Sequence, residues 1–285
     1  MNMDKNTGAS GSAKKIRGRY ARIYAKNIRL NYRANFEYKG WWLMMVSIAF
    51  QVVTDPLSTV LLFSRFGSVG AWGVERIIMV YAMAVASFGL AELFCRGFDY
   101  FPWQLVRSGA FDRMLLRPVP LFVQIAGSFF HLHRIVRVGG GLCAVFWSLW
   151  KQGVTLDAKS AAVLAAALLS GFVVYSGVFI ITSGISIFTI KALDWIYIFT
   201  NASYQVARCP VEYMPKLLKH SFTFLMPVLL ISYYPAAVIC GWEWQNGRTE
   251  PFYSGLLCVP AAAVFAAFSF FIWKIGVRKY QSTGS

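Results

Sequence analysis

The sequence predicts an all-α integral membrane protein: six transmembrane helices, an N-terminal amphipathic interfacial helix, and a re-entrant helical hairpin before the last span. Three observations lead there. Of the 285 residues 57% are hydrophobic and only 14% are charged, against about 25% charged in an average soluble domain. The apolar residues gather into runs of about 20, the length of helix that crosses a bilayer core. The formal net charge of +16 is also unevenly placed, with 10 of the 28 Lys and Arg in residues 1–40 and most others flanking apolar runs. That distribution fits positive-inside topology and anionic headgroups. Membrane lipids are therefore expected partners and nucleic acid is not.

Residues 1–13, MNMDKNTGASGSA, are small and polar and read as a disordered tail. Residues 14–40 set Ile16, Tyr20, Ile23 and Ile28 or Leu30 on one helical side and basic residues around the remainder. This is the pattern of a helix lying in the interface plane. A six-span transmembrane domain over 41–280 follows. Its first span, 41–63, opens at the Trp41–Trp42 anchor, and its second covers 77–95. The third runs over about 121–149, the fourth over about 160–185, a short polar fifth over about 190–207, and the last over 254–273.

Prolines at 210, 215, 227 and 235 interrupt the apolar stretch before the last span. Two segments so broken predict a re-entrant hairpin over about 210–238, with Pro215, Pro227 and Pro235 shaping it. Irregular backbone at that depth survives only where protein or a wet cavity covers it.

With both termini cytoplasmic, the count is 20 Lys and Arg inside against 8 outside. A rival topology with 222–241 as the fifth span gives 23 against 5, so charge alone does not fix that span.

Chemical motifs are absent. There is no HExxH, GxSxG or GxxxxGK[ST], and the five cysteines form no CxxC. No catalytic residue, bound cofactor or metal is expected. The small-residue stretches "LLSGF", "SGIS" and "GGG" read as helix-packing surfaces.

Ionisable residues inside spans are costly and are functional candidates by default. Asp55, before Pro56, is either a polar contact on a path for a cationic substrate or part of a kinked outer turn that reaches headgroup water. Glu92 and Arg96, one turn apart, form a natural i,i+4 pair and join Asp55 as candidate path residues. His131, His133, Arg134 and Arg137 are too dense for a lipid face. Either their helix extends into the cytosol, or they face protein and water. At 1.5 Å per residue, 121–149 makes about 43 Å of helix, more than a core needs, which favours extension.

The link 107–118, RSGAFDRMLLRP, puts Phe111 and Leu115 one turn apart among Asp112, Arg113 and Arg117. A short helix with an aromatic anchor and a charged rim suits a groove in another protein. The same helix could also rest on lipid.

The link and the proline-spaced segment resemble a known family. "GAFDRMLLRPVP" is similar to the D-x-x-L-x-R-P link of bacterial ABC type-2 exporter permeases, with Asp112, Leu115, Arg117 and Pro118 at the matching positions. "MPKLLKHSFTFLMPVLLISYYPA" resembles their re-entrant segment, and residues 14–40 resemble their interfacial elbow helix. The resemblance covers about residues 14–280. It implies a non-catalytic subunit of the bacterial inner membrane that works with a separate ATPase dimer and with a second copy or a related permease. ATP and Mg would be held by the ATPase. Phe111, Asp112, Arg113, Leu115 and Arg117 would form the coupling surface. A secondary transporter or channel acting alone is disfavoured by the missing internal repeat. A lipid enzyme is disfavoured because no acidic residue lies near His131 and His133 in sequence.

Overall fold

The computed structural model describes residues 5–37, 39–66, 72–189, 202–242 and 249–280. Eleven α-helices are used here as landmarks: α1 Lys5–Glu37, α2 Trp41–Phe66, α3 Val74–Asp99, α4 Ala110–Leu115, α5 Leu121–Ala126, α6 Ile135–Lys151, α7 Ala158–Thr189, α8 Lys216–His220, α9 Val228–Cys240, α10 Phe252–Leu256 and α11 Cys258–Arg278.

The most enclosed of the long apolar helices, α3, forms the centre of the bundle. Nearly every residue from Ile77 to Phe98 is buried. Helices α6, α7 and α9 pack around it, and α11 packs on the far side of α7. Lipid supplies no hydrophobic drive between spans, so close backbone approach must hold them together. Gly171 meets Ser87 across the α3/α7 contact, and Gly276 lies against the backbone of Gly184 across α7/α11. "LLSGF" and "SGIS" are thus packing surfaces. A tighter approach occurs at Gly97, where a Cβ would sit 1.7 Å from the Ile125 carbonyl oxygen. Gly97→Ala should therefore force α3 and α5 apart, costing about 3 kcal/mol. Gly139→Ala, whose Cβ would meet nothing within 4 Å, should be silent in the same thermal-stability measurement in detergent.

Beyond Asp99 the central helix continues through a π-helical turn, Phe101–Val106. Pro102 offers no N–H there, and its carbonyl instead accepts from Arg107 N at 3.2 Å. The apolar stretch Val74–Val106 spans 33 residues. Helix α7 starts at an Asp157 cap whose Oδ1 accepts from Ser160 N at 2.8 Å. Hydrogen bonds from the Ser160 hydroxyl and N–H hold that carboxyl below the usual range.

Among the described residues, four helical stretches are long and apolar enough to cross a membrane: Trp41–Arg65, Val74–Val106, Ala158–Thr189 and Phe252–Arg278. The expected third span, 121–149, is not one helix. It stops at Ala126, and α6 begins at Ile135 with 17 residues, about 26 Å of helix, slightly under a bilayer core. Residues 190–201 of the expected fifth span lie outside the described residues, and 202–206 are helical.

In the proline-rich stretch, α8 runs into a π-turn, Ser221–Leu225, and meets α9 at 95°. A straight span over 222–241 is therefore not present. Pro215 opens α8 and Pro227 opens α9, whereas Pro235 lies within the unbroken α9.

The start of α1 is a further difference. It begins at Lys5, so residues 5–13, read as a disordered tail, are helical. Once a long helix is nucleated, each added residue needs only its own propagation, and Gly or Ser costs about 1 kcal/mol or less. The C-terminal half of α1 is strapped to the α5–α6 break. Asn31 Nδ2 donates to the carbonyls of Gly127 and Ser128 at 3.1 Å each, and Asn35 Nδ2 to that of Phe130 at 2.8 Å. These carbonyls have lost their helical partners, so α1 satisfies what the break exposes. Tyr24 adds a bond from its hydroxyl to the Phe94 carbonyl at 3.0 Å. Burial pushes that hydroxyl up to about 12, which keeps it a donor at ordinary pH.

Candidate functional sites

Helix α2 has two faces. Phe50, Val53, Leu57 and Leu61 are exposed, while Gln51, Asp55 and Thr59 recur every fourth residue on the side toward α3. Pro56 cannot donate to the turn before it, and the Ser58 hydroxyl donates to the Asp55 carbonyl at 2.7 Å. The Asp55 carboxylate is turned into the protein and not toward headgroup water. One oxygen accepts from the Tyr81 hydroxyl at 2.8 Å, and the other lies 2.9 Å from Arg208 Nη2. The Arg208 guanidinium sits 4.3 Å from the Tyr81 ring centroid.

Glu92 and Arg96 form their pair, at 2.8 Å, and both are almost fully buried. Two partners distant in sequence join them. Arg134 Nη1 reaches Glu92 Oε1 at 2.6 Å, and Arg137 Nη1 reaches Oε2 at 2.5 Å. Arg96 also meets Asp99 at 3.2 Å, and Arg137 donates to Gln51 Oε1 at 2.9 Å. The expectation of one continuous helix through Arg134 and Arg137 is therefore corrected, and the alternative, that these residues face protein, describes both arginines. The helix breaks at Gly127–Ser128, and the two arginines fold in against the carboxylate of α3. A carboxylate that accepts from three guanidiniums is both paired and hydrogen-bonded, the condition under which buried charge is tolerated.

Between the two charged groups lies a narrow cleft of about 10 Å³, room for about one water molecule while Arg208 is in place, lined by Gln51, Asp55, Tyr81, Phe88, Arg137 and Tyr204 among others. Asp55 thus shares a cleft with Gln51 and Arg137, and Arg137 in turn pairs with Glu92. The sequence reading named Asp55, Glu92 and Arg96 but missed Arg137, Arg208 and Tyr81. The density of basic residues in 131–137 was the available signal, but it does not name their partner, Glu92.

The 107–118 link needs a correction too. Phe111 is fully buried, edge-on to Phe101 at 4.9 Å and to Tyr280 at 4.8 Å between centroids. It anchors the link to its own bundle and is not available to a partner. Gln124 Nε2 reinforces the hold, donating to the carbonyls of Met114 at 3.2 Å and Val119 at 2.8 Å. What the link presents outward is Arg113, Leu115, Leu116 and Arg117, with Leu116 86% exposed. Asp112 is half-buried beside them. Leu116 was missed because helical spacing paired Leu115 with Phe111.

Long apolar helices around a sheltered charged seam mark a multi-pass transmembrane protein. Residues 49–284 match the family model described as ABC-2 family transporter protein, and the chain belongs to that family: it is an ABC type-2 permease. No curated protein matches the chain.

Proposed function

We propose that this permease is half of the membrane pathway of an ATP-driven exporter. It works with a separate ATPase dimer and with a second copy or a related permease. ATP and Mg are held by the ATPase, and this chain binds no cofactor and catalyses no reaction. Membership of the family supports the reading, since its membrane proteins generally pair with an ATPase subunit. The observation that carries it is the link. Leu115 and Leu116 point out between Arg113 and Arg117, on a segment fixed to the bundle by Phe111 and Gln124. An exposed leucine pair with a basic rim fits a partner groove with acidic edges. A rigid mount lets displacement of the partner reach α3.

In this reading the chain lies in the bacterial inner membrane with both termini cytoplasmic, and α1 is the interfacial elbow. Six spans result when α6 and residues 190–207 are counted, and α8–α9 is the re-entrant hairpin. Single-cysteine labelling is expected to place Ala110 and Ser282 inside, and Gly247 and Val211 outside. Labelling of Val211 only from inside would remove the re-entrant hairpin. Co-purification of an ATPase and ATP-dependent export from vesicles test the function itself. A chain that transports with no ATPase bound would sink it.

A further inference from the structure

Asp55 already holds a cation, and that cation belongs to the protein. The Arg208 guanidinium lies 2.9 Å from one carboxylate oxygen and 4.3 Å from the Tyr81 centroid. Tyr81 steadies the other oxygen with its hydroxyl. Phe88 and Tyr204 stack at 5.5 Å and line the same cleft. A carboxylate backed by aromatic faces and sheltered from bulk water is the general arrangement for holding an organic cation.

The mounting of the two partners differs. Asp55 and Tyr81 stand on the long helices α2 and α3. Arg208 stands in a turn between the helical residues 202–206 and Pro210. Asp55 is the only acid among the described residues lining the cleft. The nearby positive charge of Arg137 is engaged by Glu92 and Gln51. Withdrawing Arg208 would leave one uncompensated carboxylate in a sheltered site, a costly state unless another cation replaces it. The chemistry therefore favours exchange of one cation for another.

We propose that the Asp55–Tyr81–Phe88–Tyr204 cleft is a binding site for an organic cation, and that Arg208 is a tethered occupant which the incoming cation displaces. That the cation is cargo rests on the transport reading above. The tether keeps the guanidinium at high local concentration, so free cations compete weakly while Arg208 is in place.

The probes are phenylguanidinium and its neutral isostere phenylurea, titrated calorimetrically against the full chain in nanodiscs. Arg208→Gln should bind phenylguanidinium at least about tenfold more tightly than the unaltered chain, because the tethered competitor is gone. Phenylurea should gain nothing, and adding Asp55→Asn should abolish the increase. A second readout leaves Arg208 in place. Cys209 is exposed beside it, and Cys143 is the other exposed cysteine. In a Cys143→Ala chain, phenylguanidinium should speed maleimide labelling of Cys209 about threefold or more, since the displaced segment opens more often. Phenylurea should leave the rate unchanged. Should Arg208→Gln not fold, the Cys209 rate decides alone. An unchanged Cys209 rate together with no gain in Arg208→Gln would overturn the proposal, and so would a gain shared by phenylurea. Neither result bears on ATPase co-purification, so failure here is separable from failure of the permease reading.

Discussion

Glu92→Gln is expected to cost about 3–5 kcal/mol of stability, the penalty typical of removing one partner from a buried ion pair. The substitution keeps the side-chain shape and removes the charge. Arg96, Arg134 and Arg137 then lose the carboxylate they share, and Asp99, 3.2 Å from Arg96, remains beside them. The stabilising arrangement ties α3 to the start of α6, and through Gln51 to α2. Its loss should loosen three helices together. The measurement is a thermal-aggregation midpoint in detergent for the single variants Glu92→Gln and Arg137→Gln and for the double variant. Removing a positive charge as well should restore part of the loss, giving a favourable coupling between the two sites. Additive losses, or an unshifted midpoint for Glu92→Gln, would show that the group contributes no net stabilisation.

At the 107–118 link, Leu116→Asp should abolish ATPase capture and transport, on the proposed coupling role, while leaving the permease at normal yield. The side chain is 86% exposed, so nothing inside the bundle depends on it. An aspartate between Arg113 and Arg117 also reverses the local polarity. An apolar anchor truncated at a partner interface costs about 2 kcal/mol or more, and a buried charge adds desolvation to that. Phe111→Ala makes the contrast. It removes a fully enclosed ring that meets Phe101 and Tyr280, and large-to-small core changes of this kind cost about 3–5 kcal/mol. Phe111→Ala should therefore lower yield and stability, and its effect on capture reports folding. Leu116→Asp reports docking. Undiminished ATPase capture by Leu116→Asp would remove the link from the coupling surface.

Period and composition made much of the architecture legible. The apolar runs named α2, α3, α7 and α11, because a helix that faces lipid on one side and neighbours on the other is apolar all round. The small residues of 168–172 and 183–186 named their own contacts. Spacing within one helix also named the Glu92–Arg96 pair. What spacing cannot convey is a partner 42 or 45 residues away, such as Arg134 and Arg137. Their charge argued for water, and only the tertiary position of Glu92 reverses that argument. Phe111 illustrates the same limit. An amphipathic pair shows which side of a short helix is apolar, but not whether that side faces the chain's own bundle or a visitor. Arg208 lies in an unremarkable polar stretch, and nothing local marks it as the counter-ion of Asp55.

The strap between α1 and the α5–α6 break has a lopsided genetics. Its donors are the amides of Asn31 and Asn35, and its acceptors are the main-chain carbonyls of Gly127, Ser128 and Phe130. Every residue type carries the same carbonyl, so substitution at the three acceptor positions leaves the hydrogen-bonding atoms in place. Only Asn31 and Asn35 can be mutated to delete the bonds themselves. The joint also forms late during synthesis. Its donors leave the ribosome roughly a hundred residues before its acceptors, so the N-terminal helix must wait without this attachment until residues 127–130 have been made.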